Sequence, residues 1–102
     1  MARVENEFEN EFEGELELEE PKLYKVMLLN DDYTSMDFVI MVLVEIFHQS
    51  AQRATEIMLK IHEEGSGLCG VYTYEIAETK VAQVHTLAKE HQFPLRAKME
   101  EE

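Results

Sequence analysis

The amino-acid sequence predicts an α+β domain of two layers, with three helices packed on a three-stranded antiparallel sheet in the order β-α-α-β-α-β. Three segments of the chain are rich in strand-forming residues, and three others place apolar side chains at helical spacing. The length of 102 residues is enough for one domain and too short for a second core. Three amphipathic helices and three strands bury their apolar faces most simply when the helices cover one face of the sheet.

The first 20 residues differ in composition from the rest of the chain. They contain nine Glu and one Arg, whereas residues 21–102 contain 13 acidic and eight basic residues. Glu occupies every odd position from Glu5 to Glu19, and the motif Asn-Glu-Phe-Glu occurs twice. High charge with few apolar residues is typical of disorder. We therefore expect residues 1–20 to form a disordered acidic extension and residues 21–102, which begin at Pro21, to form the domain.

Composition and motifs argue against several classes of function. A formal net charge of −13 disfavours binding to nucleic acid, because phosphate backbones require clustered Lys and Arg. No apolar run is long enough to span a membrane, and the single cysteine, Cys69, cannot form an internal disulfide, which favours a cytoplasmic protein. The sequence contains no phosphate-binding glycine loop, nucleophile elbow or zinc-ligand spacing, so we expect no cofactor, no metal site and no enzymatic activity.

The first strand and the first helix are predicted on either side of a polar loop. Residues 22–29 are rich in strand formers and end with apolar residues on both faces, which indicates a mostly buried strand. The pair Thr34 and Asp37 fits a capping box, in which two side chains bond to free amides at a helix start. The first helix is therefore predicted from Ser35 to Phe47, and its apolar residues on nearly every side predict that it lies between other elements.

The second half of the chain contains the remaining two helices and two strands. A second helix is predicted to begin near Ser50 and to end at the glycines of residues 65–67. On this helix, His62 shares an inward face with Met58. The following segments are predicted as a strand over residues 68–74, a helix over residues 75–90 and a strand over residues 93–99.

Two places in this arrangement are candidates for a binding site. Residues 30–34 carry four short hydrogen-bonding side chains, two of them carboxylates, between a buried strand and a buried helix. The same residues could form an ordinary acidic turn followed by a helix cap. His62 could bind a ligand, or it could be a core histidine whose hydrogen bonds are satisfied. Cys69 lies in the middle of a predicted strand, where we expect it to act as a small buried apolar residue.

Residues 24–39, with the sequence YKVMLLNDDYTSMDFV, resemble the signature of the ClpS adaptor family. The resemblance covers residues 21–99 without a gap and leaves the acidic extension unmatched. Further matching segments are Arg53-Ala-Thr, Met58-Leu-x-Ile-His62, Gly65, Cys69-Gly-Val-Tyr72, Ala77-Glu-Thr-Lys-Val-Ala82 and His91-x-x-Pro-Leu95. Two positions depart from the family pattern, since Ser35 stands where Pro is common and Ile61 stands where Val is common.

This resemblance implies a non-enzymatic adaptor of the bacterial N-degron pathway. Members of the family bind proteins that carry an N-terminal Phe, Tyr, Trp or Leu. They deliver these proteins to the Clp unfoldase–protease by docking on the N-terminal domain of ClpA or of a related Clp ATPase. The family fold is the same arrangement of three helices and three strands that the sequence pattern predicts.

The resemblance also implies roles for individual residues. The α-ammonium group of the substrate would be held by Asn30, Asp31 and His62, since its three donors require three acceptors. The hydrophobic pocket for the first side chain would be lined by Thr34, Met36, Val39, Met58, Ile61 and Leu95. The positions that face the unfoldase would be Tyr33, Glu75 and Lys80, while Asp32 would orient the loop.

Two other interpretations use the same residues. The element order also resembles the C-terminal domain of the ribosomal stalk protein, which recruits translation factors but lacks an Asn-Asp-Asp loop beside a pocket histidine. In an enzymatic interpretation, His62 and Asp31 would form an acid–base pair. That interpretation lacks a nucleophile, a metal-ligand set and a cofactor motif, so the adaptor is the leading hypothesis.

Overall fold

The computed structural model describes residues 20–102, so the predicted acidic extension, apart from Glu20, lies outside the described residues. The elements are β1 (Leu23–Leu29), α1 (Met36–Glu45), α2 (Ala51–Glu64), β2 (Ser66–Thr73), α3 (Tyr74–Glu90) and β3 (Arg96–Glu101). Their order is the predicted β-α-α-β-α-β, and the sheet is antiparallel throughout. The predicted fold class is therefore confirmed.

β1 is the central strand and pairs with both β2 and β3. Its last residue, Leu29, lies opposite Ser66 of β2 and Arg96 of β3, while its first residue, Leu23, lies opposite Thr73. The polar loop that leaves β1 therefore starts beside the beginning of β2, directly after the end of α2.

One continuous core joins the sheet to the helices. Val26 and Leu28 are fully buried and alternate with more exposed residues, as expected for a strand with one covered face. In α1, Val42 and Leu43 are fully buried, and further apolar residues of the helix are partly buried against the core. The other core residues are Phe38, Val39, Ile46, Phe47, Ala54, Ile57, Met58, Ile61, Cys69, Ala77, Val84, Ala88, Leu95 and Ala97.

The start of α1 differs from the predicted capping box. Ser35 is the N-cap residue, and its Oγ accepts a hydrogen bond from the Phe38 N–H at 3.1 Å. The Thr34 hydroxyl instead donates to the Asp31 carboxylate, so the predicted cap is wrong by one residue. Asp37 remains in the first turn, where a negative charge is favourable because of the helix dipole.

β3 begins three residues later than predicted, because the chain first makes a turn after α3. Gln92 has a left-handed φ of 63°, and the Phe93 N–H donates to the Ala88 carbonyl at 2.9 Å. The Phe93 ring then packs on Phe38, with the ring centroids 4.9 Å apart. Regular pairing with β1 starts only at Arg96.

Candidate functional site

A cavity opens where β1 ends, α1 begins and α2 ends. Asn30 follows β1, and its N–H donates to the Gly65 carbonyl at 2.9 Å. Gly65 is the left-handed C-cap of α2, with a φ of 94°, and His62 lies in the last turn of that helix. The pairing of Leu29 with Ser66 and this cap bond bring Asn30 and His62 together, although they lie far apart in the sequence.

The cavity has a volume of about 260 Å³, an apolar inner wall and a polar mouth. The wall is formed by Val39, Met58 and Ile61, none of which is more than 7% exposed. Met36 is 50% exposed and stands at the mouth, where a ligand side chain would enter. The lining residues are Asn30, Asp31, Asp32, Thr34, Met36, Val39, Met58, Ile61 and His62.

The Asp31 carboxylate organises the loop at the mouth. Its Oδ1 accepts from the N–H groups of Tyr33 and Thr34 at 2.8 and 2.7 Å, and its Oδ2 accepts from the Thr34 hydroxyl at 2.8 Å. The prediction that Asp32 orients the loop is therefore wrong, since Asp31 makes these bonds and Asp32 is exposed. A carboxylate accepts about four hydrogen bonds, so these three leave one position on Oδ2 for a ligand.

The bonds around Asp31 also keep it ionised. Partial burial by itself would raise the pKa of this carboxyl, but the hydrogen bonds from Thr34 and Tyr33 outweigh that effect and hold the pKa below its usual value. Hydrogen bonds of this kind stabilise the charged form of a carboxyl group. Asp31 therefore presents a fixed negative charge to the cavity.

The electrostatics of the mouth favour a cation. Asp31 and Asp32 both line the cavity, and none of the lining residues is Lys or Arg. The last turn of α2 also lies here, and the C-terminal end of a helix carries partial negative charge. His62 is exposed at this mouth rather than buried on an inward face as predicted, so its ring is open to a ligand. The site therefore suits a positively charged donor group attached to an apolar side chain.

The structure brings most of the predicted site residues together. Asn30, Asp31 and His62 all line the cavity, as do five of the six predicted pocket residues. The exception is Leu95, which is 3% exposed and lines a separate groove beside α3. Asp32 also lines the cavity, although it was not predicted as a pocket residue. The sequence signal for its presence was the pair of adjacent carboxylates that follows Asn30.

The three residues predicted to face an unfoldase have different surroundings. Tyr33 is 79% exposed beyond one end of β1, and Glu75 is exposed in the first turn of α3, beyond the other end. Lys80 is partly buried, and its Nζ donates to the Ile46 carbonyl at 2.7 Å. The same Nζ lies 5.7 Å from the centroid of the Tyr72 ring. Lys80 thus ties α3 to the end of α1.

Cys69 and the pair Asp31 and His62 are the remaining groups that the sequence offered for chemistry. Cys69 is 2% exposed, and burial raises the pKa of its thiol to about 12, which disfavours the nucleophilic thiolate. The acid–base interpretation requires a hydrogen bond between Asp31 and His62. The hydrogen bonds within residues 20–102 include no such bond. In the same part of the chain, no group of three His, Cys, Asp or Glu side chains is placed to bind a metal ion. No helix there is long and apolar enough to cross a membrane.

Comparison with known proteins gives consistent matches over the described domain. The family model for the ATP-dependent Clp protease adaptor protein ClpS matches residues 19–98. The chain is 60% identical over 85 residues to the ATP-dependent Clp protease adapter protein ClpS of Oleidesulfovibrio alaskensis, which covers 83% of this chain and 82% of that protein. It is 54% identical over 95 residues to the protein of the same name from Hyphomonas neptunium, covering 93% and 80% of the two chains.

A solved structure is also similar to this fold. The structure of Agrobacterium tumefaciens ClpS2 bound to L-phenylalaninamide has a TM-score of 0.79 and 46% sequence identity. The match covers 81% of this chain and 100% of that chain.

Proposed function

The chain belongs to the ClpS family of Clp protease adaptors, and we propose that the 260 Å³ cavity binds the N-terminal residue of its protein substrates. As a member of this family, the protein is an adaptor that recognises N-degron substrates and delivers them to the Clp protease. The matches do not support the alternative of a factor-recruiting domain like that of the ribosomal stalk protein. The observation that carries the proposal is an apolar cavity with Asn30, Asp31 and His62 together at its mouth.

The mouth has the acceptors that an α-ammonium group needs. The free position on Asp31 Oδ2, the Asn30 side-chain carbonyl and a neutral His62 imidazole provide three acceptors for three N–H donors. Charge-assisted bonds of this kind are about twice as strong as neutral ones. L-phenylalaninamide, the ligand of the similar ClpS2 structure, carries a free α-amine and an aromatic side chain, which supports this assignment.

The inner wall sets the preference for the first side chain. Val39, Met58 and Ile61 offer a buried apolar surface, and burying a large apolar side chain contributes roughly 1.5–3 kcal/mol. We therefore infer that Phe, Leu and Tyr are bound more tightly than Ala or Ser, and that Ile61 makes Trp a weaker ligand because overpacking is costly. Met36 at the mouth would reject the β-branched residues Ile and Val.

Delivery requires a second contact. We propose that the N-terminal domain of ClpA, or of a related Clp ATPase, docks through Tyr33, Glu75 and Lys80. The high exposure of Tyr33 and Glu75 supports this assignment. The adaptor role that we propose is non-catalytic, and the description of the relatives as adaptor proteins supports this proposal.

The decisive experiment compares a fluorescent peptide that begins with Phe with the same peptide acetylated at its α-amine. Acetylation removes the ammonium charge and leaves Asp31 without its ligand partner, so we expect binding to weaken by more than about a hundredfold. Fluorescence anisotropy measures both affinities, and the peptide should be recovered unchanged. Equal affinity for the two peptides would contradict the assignment of the ammonium site.

Variants locate the binding to the cavity. His62→Ala should weaken binding of the Phe peptide, whereas Glu63→Ala, an exposed neighbour that does not line the cavity, should not. Met36→Ala should admit peptides that begin with Ile or Val. Unchanged selectivity in Met36→Ala would remove Met36 from the role of gate without affecting the ammonium site.

A further inference from the structure

A second recess lies between the end of α3 and the start of β3. Its volume is about 570 Å³, and it shares no lining residue with the cavity described above. Its lining residues are His85, Ala88, Lys89, Gln92, Phe93, Pro94, Leu95 and Arg96. We refer to these eight residues as the α3–β3 groove.

The α3–β3 groove is basic in an otherwise acidic protein. Lys89 and Arg96 line it, and none of its eight residues carries a carboxylate. Within residues 20–102, neither of these two cations has a carboxylate oxygen within 4.0 Å, in contrast to Lys22, Lys25 and Lys98. Two positive charges without counter-ions in the described domain thus lie beside an apolar floor.

A histidine adds a hydrogen-bond donor to this groove. The Nε2 atom of His85 accepts a hydrogen bond from the Ala97 N–H at 3.0 Å. A neutral imidazole that accepts at one nitrogen carries its proton on the other, so Nδ1–H of His85 is a donor. The groove therefore offers two cations, one N–H donor and the apolar surfaces of Ala88, Phe93 and Pro94.

We propose that the α3–β3 groove binds the acidic N-terminal segment of the same chain, residues 5–13. This segment reads ENEFENEFE and contains five Glu and two Phe. Its Glu carboxylates match Lys89, Arg96 and the His85 donor, and its Phe rings match the apolar floor. The mouth of the substrate cavity is an unsuitable place for the segment, because Asp31 and Asp32 repel it there.

The length of the chain fits this placement. Arg96 lies opposite Leu29, at the end of β1 far from Lys22, and the seven residues of β1 span about 23 Å at ~3.3 Å per residue. Pro21 and Lys22 lie beside Thr73 and Glu75 at the start of β1, and the twelve residues 8–19 reach up to about 40 Å beyond them when extended. This length exceeds the span of β1, so Phe8 in the ENEFENEFE segment reaches the groove.

Covalent linkage favours this occupant over a second copy of the chain. Two binding elements joined by a short linker have an effective concentration in the millimolar range, well above ordinary protein concentrations. The inference does not depend on the proposed substrate site, because it concerns a different face of the domain. Docked residues 5–13 would be held away from the substrate cavity until another protein competes for them.

Disulfide trapping in the full chain tests the proposal. Phe8→Cys is combined with Gln92→Cys in the groove or, as a control, with Lys60→Cys on the exposed side of α2. The natural Cys69 is buried and does not interfere. Under mild oxidation at micromolar protein and low salt, we expect the 8–92 pair to close intramolecularly about tenfold faster than the 8–60 pair, as two to three exposed ion pairs would produce.

Reversing the charges of the groove tests whether the disulfide forms because residues 5–13 bind there or because the two cysteines meet by chance. The double change Lys89→Glu with Arg96→Glu should abolish the preference for position 92, and so should 1 M salt, at which the Debye length is about 3 Å. The matched control, Arg53→Glu with Lys60→Glu in the 8–92 background, should leave the closure rate of the 8–92 pair unchanged. Equal closure rates for the two pairs, a preference that survives reversal of Lys89 and Arg96, or closure only between two molecules would each overturn the proposal.

Discussion

Asp31 has two tasks, because the same carboxylate shapes the loop and faces the cavity. Three of its acceptor positions bond to Tyr33 and Thr34, and the fourth is open towards the cavity mouth. The neighbouring Asp32 lines the same cavity but makes no such bonds. Substitutions of Asp31 and Asp32 can therefore be compared to separate the effect of the charge at the mouth from the effect of the loop hydrogen bonds.

Asp31→Asn should weaken binding of a free-amine Phe peptide by about ten- to a hundredfold, since a hydrogen bond to a charged group contributes roughly 1.5–3 kcal/mol. Asp32→Asn removes one charge from the same mouth and should weaken binding by less than about threefold, in line with an exposed ion pair. Peptide titration by anisotropy measures both effects. Equal losses in the two variants would show that only the net charge of the mouth matters.

The lowered pKa of Asp31 predicts how stability depends on pH. The folded-state pKa lies below the unfolded value of about 3.9, so ionised Asp31 stabilises the fold above that value. This contribution is lost as the pH falls through the folded-state pKa. Urea unfolding at several pH values should therefore show that the stability difference between the native chain and Asp31→Asn narrows below about pH 4. A difference that stays constant into strong acid would contradict this linkage.

At the scale of secondary structure, the helix caps connect stability to the site. Ser35 caps α1 and Ser50 caps α2, each through an Oγ that accepts an N–H three residues later at 3.1 Å. Only Ser35 directly follows the loop that contains Asp31 and Thr34. Loss of either cap should destabilise its helix, but only the first should disturb the cavity mouth.

Ser35→Ala and Ser50→Ala should each lower the free energy of unfolding by about 1 kcal/mol, the usual contribution of an N-cap side chain. Ser35→Ala should also weaken binding of the Phe peptide, because the loop next to the cap loses a fixed end. Chemical denaturation and anisotropy give the two quantities separately. If Ser50→Ala weakened binding as much, the effect would reflect global stability alone.

The start of β2 supports the cavity wall from behind. A Cβ added to Gly67 would lie 2.6 Å from Cγ1 of Ile61, which forms part of that wall. Because Gly67 has no side chain, the Ile61 side chain can pack against the backbone of β2 and leave the cavity open.

Gly67→Ala should push Ile61 towards the cavity and cost about 1–3 kcal/mol of stability, as overpacking does. Binding of Phe peptides should fall more than binding of Leu peptides. Gly65→Ala is the control, because its Cβ meets no atom within 4 Å and its cost arises from the φ of 94°. An equal loss for Phe and Leu peptides in Gly67→Ala would show that Ile61 yields in another direction.

At the scale of the whole molecule, charge divides the chain into unequal parts. Residues 1–20 carry nine of the 22 acidic side chains, while most basic residues lie in the domain. Among the described residues, those that line the candidate cavity lie within residues 30–62, so we expect substrate binding not to require the acidic extension. Delivery is a different matter, because a fully extended segment of 20 residues reaches up to about 70 Å from the domain.

A chain that starts at Pro21 should bind Phe peptides and the N-terminal domain of the unfoldase with nearly normal affinity. It should fail to accelerate degradation of a Phe-starting substrate by the Clp protease, because the extension could no longer approach the unfoldase pore. Degradation assays with purified components measure this. Full delivery by the shortened chain would leave the extension with no role beyond solubility.

Several features followed from the sequence by itself. The order of the elements followed from periodicity, since strand and helix patterns depend on local side-chain spacing. The caps at Ser50 and Gly65 were also visible locally, because a polar residue before a helix and a glycine after it have specific backbone roles. The resemblance to the adaptor family, carried by the Asn-Asp-Asp loop and His62, predicted that Asn30, Asp31 and His62 would lie together, but it placed Leu95 in the wrong groove.

Other features were decided only by the tertiary structure. Thr34 and Ser35 both carry a hydroxyl that can cap a helix, but the Thr34 hydroxyl bonds to Asp31, and the Ser35 hydroxyl caps α1. Sequence spacing could not tell whether Asp31 or Asp32 would accept hydrogen bonds from the residues of its own loop. It also could not place His62, since a residue in the last helical turn is buried or exposed according to what packs beyond the helix end. Here Gly65 ends α2 and turns the chain into β2. The pairing of β1 with β2 ends at Leu29 and Ser66, next to Asn30, so the His62 imidazole lies at the open mouth of the cavity.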